Sequence, residues 1–479
     1  MELQKQSKAK DKIVSKADKF NLCEGSIVKK MLYVASPIVL TQVFQMAYNL
    51  TDMFWLGRLS SDAVAASGSA GLFLWLSMAL FLFGRMGAEI GVSQNLGRGD
   101  KDTARSYAQN SIYIAIFFGI ISSAIFVTFH EQLIGLFRIR EAHVEKDARE
   151  YLAIVSMGFP LSFLIATISG IFNGAGNSRM SLAVNGVGFT LNMILDPILI
   201  FTAGWGIHGA GIATLIAQSV TVIIAVSVLK KSKNRPFEEI KLFIKPCWDK
   251  IKQIGKWAAP VSLESFLFTV LTMMLTPLVA GYGAGALAAV RVGSQIESLT
   301  WLVAGGYAAA LTAFAGQNFG AGKWTRIHKG FKISTVIMSL WGLAVAVLLY
   351  FGGGALYRIF IPNDPGVVTL GILYLQLLAF VQIPACLEGV AAGIFRGKGK
   401  TVPPSVASIS SNIMRVVLAY ASVTFTDLGL TGIWLAVTIS AAIRGLWIFI
   451  WYLINSRNEP KTDADPAALT DEDNITQPA

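Results

Sequence analysis

The sequence predicts an all-α integral membrane fold: twelve transmembrane helices in two six-helix lobes, related by a pseudo-twofold axis along the membrane normal. Three observations lead there. First, 54% of the 479 residues are hydrophobic and only 14% are charged, too oily for a soluble chain of this length. Second, apolar runs long enough to cross about 30 Å of hydrocarbon recur throughout, at 32–56, 64–93, 107–129, 150–172, 181–203, 208–229, 255–280, 287–316, 330–352, 370–394, 403–426 and 430–454. Third, the chain repeats itself. Shifted by 223 residues, its halves align without a gap from Pro37 to Ala213. Pro37 falls on Pro260, Gln94-Asn95-x-Gly97-x-Gly99 on Gln317-Asn318-x-Gly320-x-Gly322, and Tyr151-Leu152 on Tyr374-Leu375. Gly170-Ile-Phe-x-Gly174-x-Gly176 falls on Gly393-Ile-Phe-x-Gly397-x-Gly399. Six spans per half is an even number, so both halves enter the membrane from the same side, as in parallel transporter repeats.

In chain order, residues 1–30 hold eight Lys and no long apolar run before Ile27, a basic cytoplasmic segment and not a cleavable signal peptide. The first lobe covers 31–229 and the second 255–454, joined by a basic cytoplasmic loop at 230–254. Residues 455–479, polar with Pro and Asp, read as a disordered tail. With the N-terminus inside, 30 of the 40 Lys and Arg face the cytoplasm, which places both termini there, in a multi-pass protein of the cell membrane. Anionic lipid headgroups account for the net +11, so membrane lipid is an expected partner and nucleic acid is not. The chain is expected to act as a monomer. Cys23, Cys247 and Cys386 are expected to be free thiols.

The fifth span carries the first functional signal. Ser181, Asn185, Gly188, Asn192 and Asp196 recur at spacings of three and four, one narrow polar stripe on an otherwise apolar helix. Pro197 denies the carbonyl of Met193 its helical donor. Carboxylate, carboxamide and freed carbonyl make an oxygen-rich site, suited to a hard cation or a proton. The first span is striped as well, Thr41-Gln45-Tyr48-Asp52 with Asn49 alongside. At 1.5 Å per residue, Asp52 lies about 8 Å inside the outer end of its span, Asp196 about 12 Å and Thr214 about 8 Å. Asp52, Asn192, Asp196 and Thr214, from three helices of one lobe, therefore arrive at similar depth.

The second lobe does not copy this set. Asn192 maps to Arg415, Asp196 to Ala419, Asp52 to Leu275 and Thr214 to Val437. Its acids lie elsewhere: Glu264 and Glu388 share a depth about 12 Å from the inner ends of their spans, and Arg415 is a candidate to neutralise one of them. Arg85 and Glu89, four apart on one helix, are expected to neutralise each other. Pro37 reads as an N-terminal helix proline. Gln45, Tyr48, Asn49, Asn185, Phe163, Met193 and Arg415 are candidates to line a substrate cleft, the aromatic and thioether groups by contacts with flat cations.

Twelve spans in two direct repeats, Asn49-x-x-Asp52, the Asn192-x-x-x-Asp196-Pro197 run and the paired glycine turns resemble the multidrug and toxic compound extrusion (MATE) family over residues 27–455. The resemblance implies a secondary antiporter, exporting small organic, usually cationic compounds in exchange for Na⁺ or H⁺. It implies a coupling-ion site, Na⁺ or H⁺, at Asp52, Asn192, Asp196 and Thr214, with a second acidic site at Glu264 and Glu388, and a bend of the first helix at Pro37. A lipid-linked or oligosaccharide flippase of the same superfamily is the alternative, but it should line its cleft with basic residues.

No enzyme is expected and no cofactor. RGKGKT at 396–401 lacks the P-loop glycine, because position 394 is Ile394, and reads as a basic cytoplasmic turn. His130, His143, His208 and His328 have no zinc or catalytic-triad spacing.

Overall fold

A computed structural model describes residues 20–231, 236–237, 240, 245–361 and 364–463. Most of the expected basic N-terminal segment, part of the joining loop and the last part of the tail lie outside the described residues. The rest is helical: α1 Ile27–Leu59, α2 Ser61–Gly97, α3 Lys101–Thr128, α4 His130–Gly135, α5 Ala142–Ser156, α6 Phe159–Gly174, α7 Ser178–Pro197 and α8 Gly206–Lys231 in the first half. The second holds α9 Trp248–Ala280, α10 Ala284–Gly320, α11 Trp324–Phe360, α12 Pro365–Ala379, α13 Gln382–Gly397, α14 Val402–Phe425 and α15 Gly429–Arg457. Among the described residues ten helices, α7 counted with the turn that follows it, are long and apolar enough to span a membrane. Two further spans are bent pairs, α5 with α6 at 47° and α12 with α13 at 45°. Twelve spans result, and large apolar side chains such as Phe117, Ile223 and Phe351 stay exposed on them, as lipid-facing positions should.

The repeat is visible helix by helix. α1 and α9 have 33 residues each, α2 and α10 have 37, α5 and α12 have 15, and α6 and α13 have 16. The glycine motifs explain themselves as packing and capping. Gly99 and Gly322 adopt positive φ as left-handed C-caps, and a 6→1 bond closes each turn, from Asp100 N–H to Asn95 O and from Lys323 N–H to Asn318 O. In the second motif a Cβ on Gly174 would sit 2.7 Å from the Glu89 carbonyl, and one on Gly397 2.6 Å from that of Thr312. These glycines let α6 lie directly on α2, and α13 on α10. Ser60 caps α2 and Asp100 caps α3, each side chain accepting a hydrogen bond from a first-turn amide.

Four expectations are corrected. The fourth and tenth spans begin earlier than their apolar windows, because α5 and α12 precede the breaks. Pro37 lies about three turns inside α1, so it is an interior proline and leaves the Tyr33 carbonyl without its helical donor. The compact units divide between Ser262 and Leu263, inside α9, and not in the loop at 230–254: the first part of α9 belongs to the N-lobe, where Ala258 and Val261 pack on Met86. Finally, 455–463 is ordered. α15 runs to Arg457, and Glu459 lies buried against Lys398 at 2.6 and 2.8 Å. Asp463 accepts from the Thr325 amide at 3.0 Å, so the tail caps α11. Lys398 is therefore not part of an open basic turn. Burial pushes its ammonium down to about 8 even with Glu459 against it.

Candidate functional site

The N-lobe brings together the acidic set. α1, α7 and α8 pack on one another, with Asp52 on the first, Asn192 and Asp196 on the second and Thr214 on the third. Asp196 is fully buried and Asn192 2% exposed. The Asn192 carboxamide donates to Thr214 Oγ1 at 3.3 Å and hydrogen-bonds the Asp196 carboxylate. Thr214 donates in turn to the Ala210 carbonyl at 3.1 Å. Asp52 is close enough to Asp196 for their charges to repel, and its Oδ1 is sealed with no hydrogen-bond partner. α7 ends at Pro197 and continues as a π-helical turn, Ile198–Thr202. The wider turn follows directly from the proline, and such turns cluster at functional sites.

Two tyrosines complete the site. Tyr48, a cleft candidate from the sequence, stacks on Phe189 of α7 at 5.6 Å and feels the charges of Asp52 and Asp196. Tyr151 is new: it is buried on α5, the half-helix before the 47° bend, where it feels the charges of Asp52 and Asp196. Its recurrence as Tyr374 in the repeat was the signal that could have marked it.

Other candidates go elsewhere. Asn185 bonds Ser169 at 2.9 Å and its own helix at Ser181 O, 2.7 Å, which makes it a contact between α7 and α6. Phe163 is buried in the aromatic core with Phe159 and Phe81 and lines no cleft. Gln45 and Asn49 are exposed on α1, and Met193 is half-buried on α7. An apolar groove of about 530 Å³ lies beside them, lined by Phe44, Leu182, Val187, Leu191 and Ile194.

In the C-lobe every acid singled out has a partner. Arg396 approaches Glu264 at 3.6 Å, and Ser405 donates to it at 2.9 Å. Arg444 holds Glu388 at 2.8 Å, so the neutralising arginine is Arg444 and not Arg415. Arg415 instead donates from Nε to Ser440 Oγ at 3.2 Å. Arg85 and Glu89 of the N-lobe do pair, at 3.8 Å.

The donors of the N-lobe set are carboxylate, carboxamide and hydroxyl oxygens. No group of three His, Cys, Asp or Glu that could hold a metal ion exists among the described residues. Hard oxygen donors, two of them carboxylates, suit a proton or a hard cation such as Na⁺ better than a transition metal.

These features, twelve spans with two broken in register and a buried acidic site in one lobe, define a polytopic membrane transporter. The MatE family model matches twice, at 37–198 and 260–421, two segments offset by the same 223 residues as the repeat. The chain is 28% identical over 435 residues to the probable multidrug resistance protein NorM of Thermotoga maritima, covering 89% of this chain and 92% of that one. It is 24% identical to the probable multidrug resistance protein YpnP of Bacillus subtilis, covering 90% and 96%. In fold it is similar to an outward-facing multidrug resistance MATE family transporter of the MOP superfamily, with TM-score 0.85, 22% identity and coverage of 92% and 99%. It is equally similar to a MOP superfamily transporter from Pyrococcus furiosus, with TM-score 0.85, 22% identity and coverage of 91% and 98%. The chain belongs to the MATE family of transporters.

Proposed function

We propose that this chain is a multidrug efflux antiporter of the cell membrane, with both termini cytoplasmic, that exports organic cations in exchange for Na⁺ or H⁺ bound in the N-lobe. The observation that carries the reading is the Asp52 carboxylate: it is placed beside Asp196 deep in a lipid-length bundle, with one oxygen sealed and unpartnered. A charge at that depth costs roughly 3 kcal/mol on insertion scales, so a group left without a partner is a site waiting for one. Entry of a cation or proton relieves the repulsion between the two acids. The same event removes the negative charge that holds a cationic cargo, so the cargo leaves as the ion arrives. The membrane potential, about 2.3 kcal/mol per charge per 100 mV, drives the ion onward and resets the cycle. Coupling needs ion and cargo to favour different states, and the interior proline at Pro37 and the bend after Tyr151 are where the walls of the site can move.

Vesicles containing the purified chain test this. Asp52→Asn is expected to abolish ion-driven export of an organic cation while the protein folds normally. Undiminished export would refute the assignment.

A further inference from the structure

Tyr151 and its repeat copy Tyr374 are held in place by different means. Tyr374 of α12 lies against the Trp434 ring of α15 at 5.2 Å, and Trp434 is 2% exposed. The N-lobe residue that matches Trp434 is Gly211, where a Cβ would sit 2.9 Å from Ile154 of α5. Glycine supplies no ring to fix Tyr151. Instead, α5 is held at its outer rim by charge. Glu150, the residue before Tyr151, meets His208 in the first turn of α8, with Oε2 2.5 Å from Nε2. A second contact joins His143, at the start of α5, to Asp62 of α2 at 2.8 Å. The C-lobe positions that match Glu150, His208, His143 and Asp62 are Leu373, Thr431, Gly366 and Gly285, so neither contact is copied. His208 and Glu150 keep 34% and 42% of their side chains exposed, so water reaches both. His143 and Asp62 are more exposed still, which makes their contact the weaker one.

Tyr151 belongs to a buried cluster with Leu56, Ile200 and Ala210. These three lie four residues outward from Asp52, Asp196 and Thr214, about one helical turn, and Thr214 itself bonds the Ala210 carbonyl. The cluster covers the acidic set from the outer side, and α5 supplies its tyrosine. We propose that Glu150 and His208 are positioning residues: while His208 carries a proton, their contact holds α5, and with it Tyr151, over the acidic set, and loss of that proton frees α5 to lift. An imidazole changes charge between about pH 5 and 8, and a hydrogen bond between two charged groups is stronger than one with a neutral partner. The hold is therefore full at the acid end of that range and weakens as pH rises through it. The other charged or titratable groups facing this end of α8 are few. α5 brings Lys146, 3.9 Å from Glu150, Arg149 bonded to Glu145, Asp147 and His143. α1 brings Arg58, Tyr48 and Asp52, and α7 brings Asp196. Asp52 and Asp196 bind the coupling ion in the proposed mechanism, so a His208 variant, which leaves both in place, separates the two causes. What the device controls, access of the ion from outside, rests on the transporter reading; the contact itself does not.

Hydrogen exchange on the purified full chain in lipid nanodiscs, without cargo or gradient, tests this. Exchange is measured at about pH 5.5 and about pH 8.5, on either side of the imidazole range, and each rate is divided by that of the unfolded peptide at the same pH. Protection of the α5 peptide, 142–156, is expected to fall about twofold to fivefold from the lower pH to the higher, the range of one partly exposed ion pair. In His208→Gln it should be low at both pH values. His143→Gln should keep most of the change. The matching α12 peptide, 365–379, should not respond, because Trp434 holds its tyrosine. Equal α5 protection at both pH values in the unaltered chain overturns the proposal. So does a response that persists in His208→Gln, or one of equal size in α12. A His208 variant that unfolds is replaced by Glu150→Gln, for which the same result is expected and the same results overturn the proposal. A contact with only a structural role would lower protection equally at both pH values and leave the pH response in place. Absence of ion-driven export in vesicles would sink the transporter reading alone, since exchange is read without cargo.

Discussion

The two lobes share a scaffold and differ in how they treat buried charge. Glycine contacts, C-caps and broken spans are copied from one half to the other, with equal helix lengths in four pairs. The acids are not. Glu388 is clamped by Arg444, and Glu264 by Arg396 and Ser405, whereas Asp52 has an oxygen sealed with nothing to bond. A buried acid with an arginine is a finished structural unit. One without is an incomplete site, and what completes it can come and go. The comparison teaches that duplication fixes where helices pack, while function resides in the few positions where the copies diverge.

The largest effect that would sharpen this contrast is on coupling. Asp52→Asn should reduce cargo-driven ion movement to background, at least about a hundredfold if that carboxylate is the coupling group, with little loss of stability. Glu388→Gln should do the opposite, leaving Arg444, whose side chain is 7% exposed, buried without its anion. Breaking such a pair costs about 3–5 kcal/mol, read as a drop in the denaturation midpoint of the purified protein, and a stable variant would break the comparison.

Next in size is the tail. Glu459→Ala should destabilise the C-lobe by about 3 kcal/mol near neutral pH, because Lys398 is wholly buried. The sign with pH follows from Lys398, whose folded value near 8 lies below its ordinary one. Between the two, the unfolded chain holds a proton that the folded chain has released, so stability rises with pH across that window and is flat below it. Without Glu459 the folded protein releases the Lys398 proton at still lower pH. The Glu459→Ala deficit should therefore shrink as pH rises towards 8 and be smallest above it, and thermal unfolding measured across pH checks it.

Gly174→Ala and Gly397→Ala probe what the lobes have in common. Each pushes a methyl against a facing backbone carbonyl and should cost about 1–3 kcal/mol. Similar losses in both are expected, and a large difference would show that the packing symmetry is only apparent.

The smallest effect belongs to the exposed pair His143–Asp62, at 2.8 Å between the starts of α5 and α2. Asp62 is held below its usual range by the His143 bond, and His143 is raised by Asp62. The contact persists between those values. It is lost as pH rises through the His143 value or falls through that of Asp62. His143→Gln should alter the pH profile slightly and transport hardly at all.

Much of the molecule is legible in its sequence. Hydropathy and the 223-residue shift locate the spans, and the stripe ending at Asp196-Pro197 picks out residues that do meet in space. Periodicity works there because a polar face on a lipid-length helix is costly unless something polar meets it. It fails where partners are distant in sequence: nothing near Glu388 announces that Arg444 will reach it, and Arg415 looks equally suitable. It fails for α5, whose Glu145, Lys146, Asp147, Arg149 and Glu150 hide a helix that carries Tyr151 into the site. Phe163 shows the reverse error, since an aromatic residue in a span is as easily core as cleft. The tail misleads because its composition is that of a solvated chain, while two carboxylates, Glu459 and Asp463, anchor its start.

Ion binding to the purified chain tests the central claim most directly. Na⁺ is titrated at several pH values, with heat and proton release recorded, for the unaltered protein, Asp52→Asn and Glu264→Gln. Saturable binding, or proton release on adding cargo, should vanish in Asp52→Asn and persist in Glu264→Gln. Binding that survives in Asp52→Asn and disappears in Glu264→Gln would move the coupling site to the C-lobe and contradict the account.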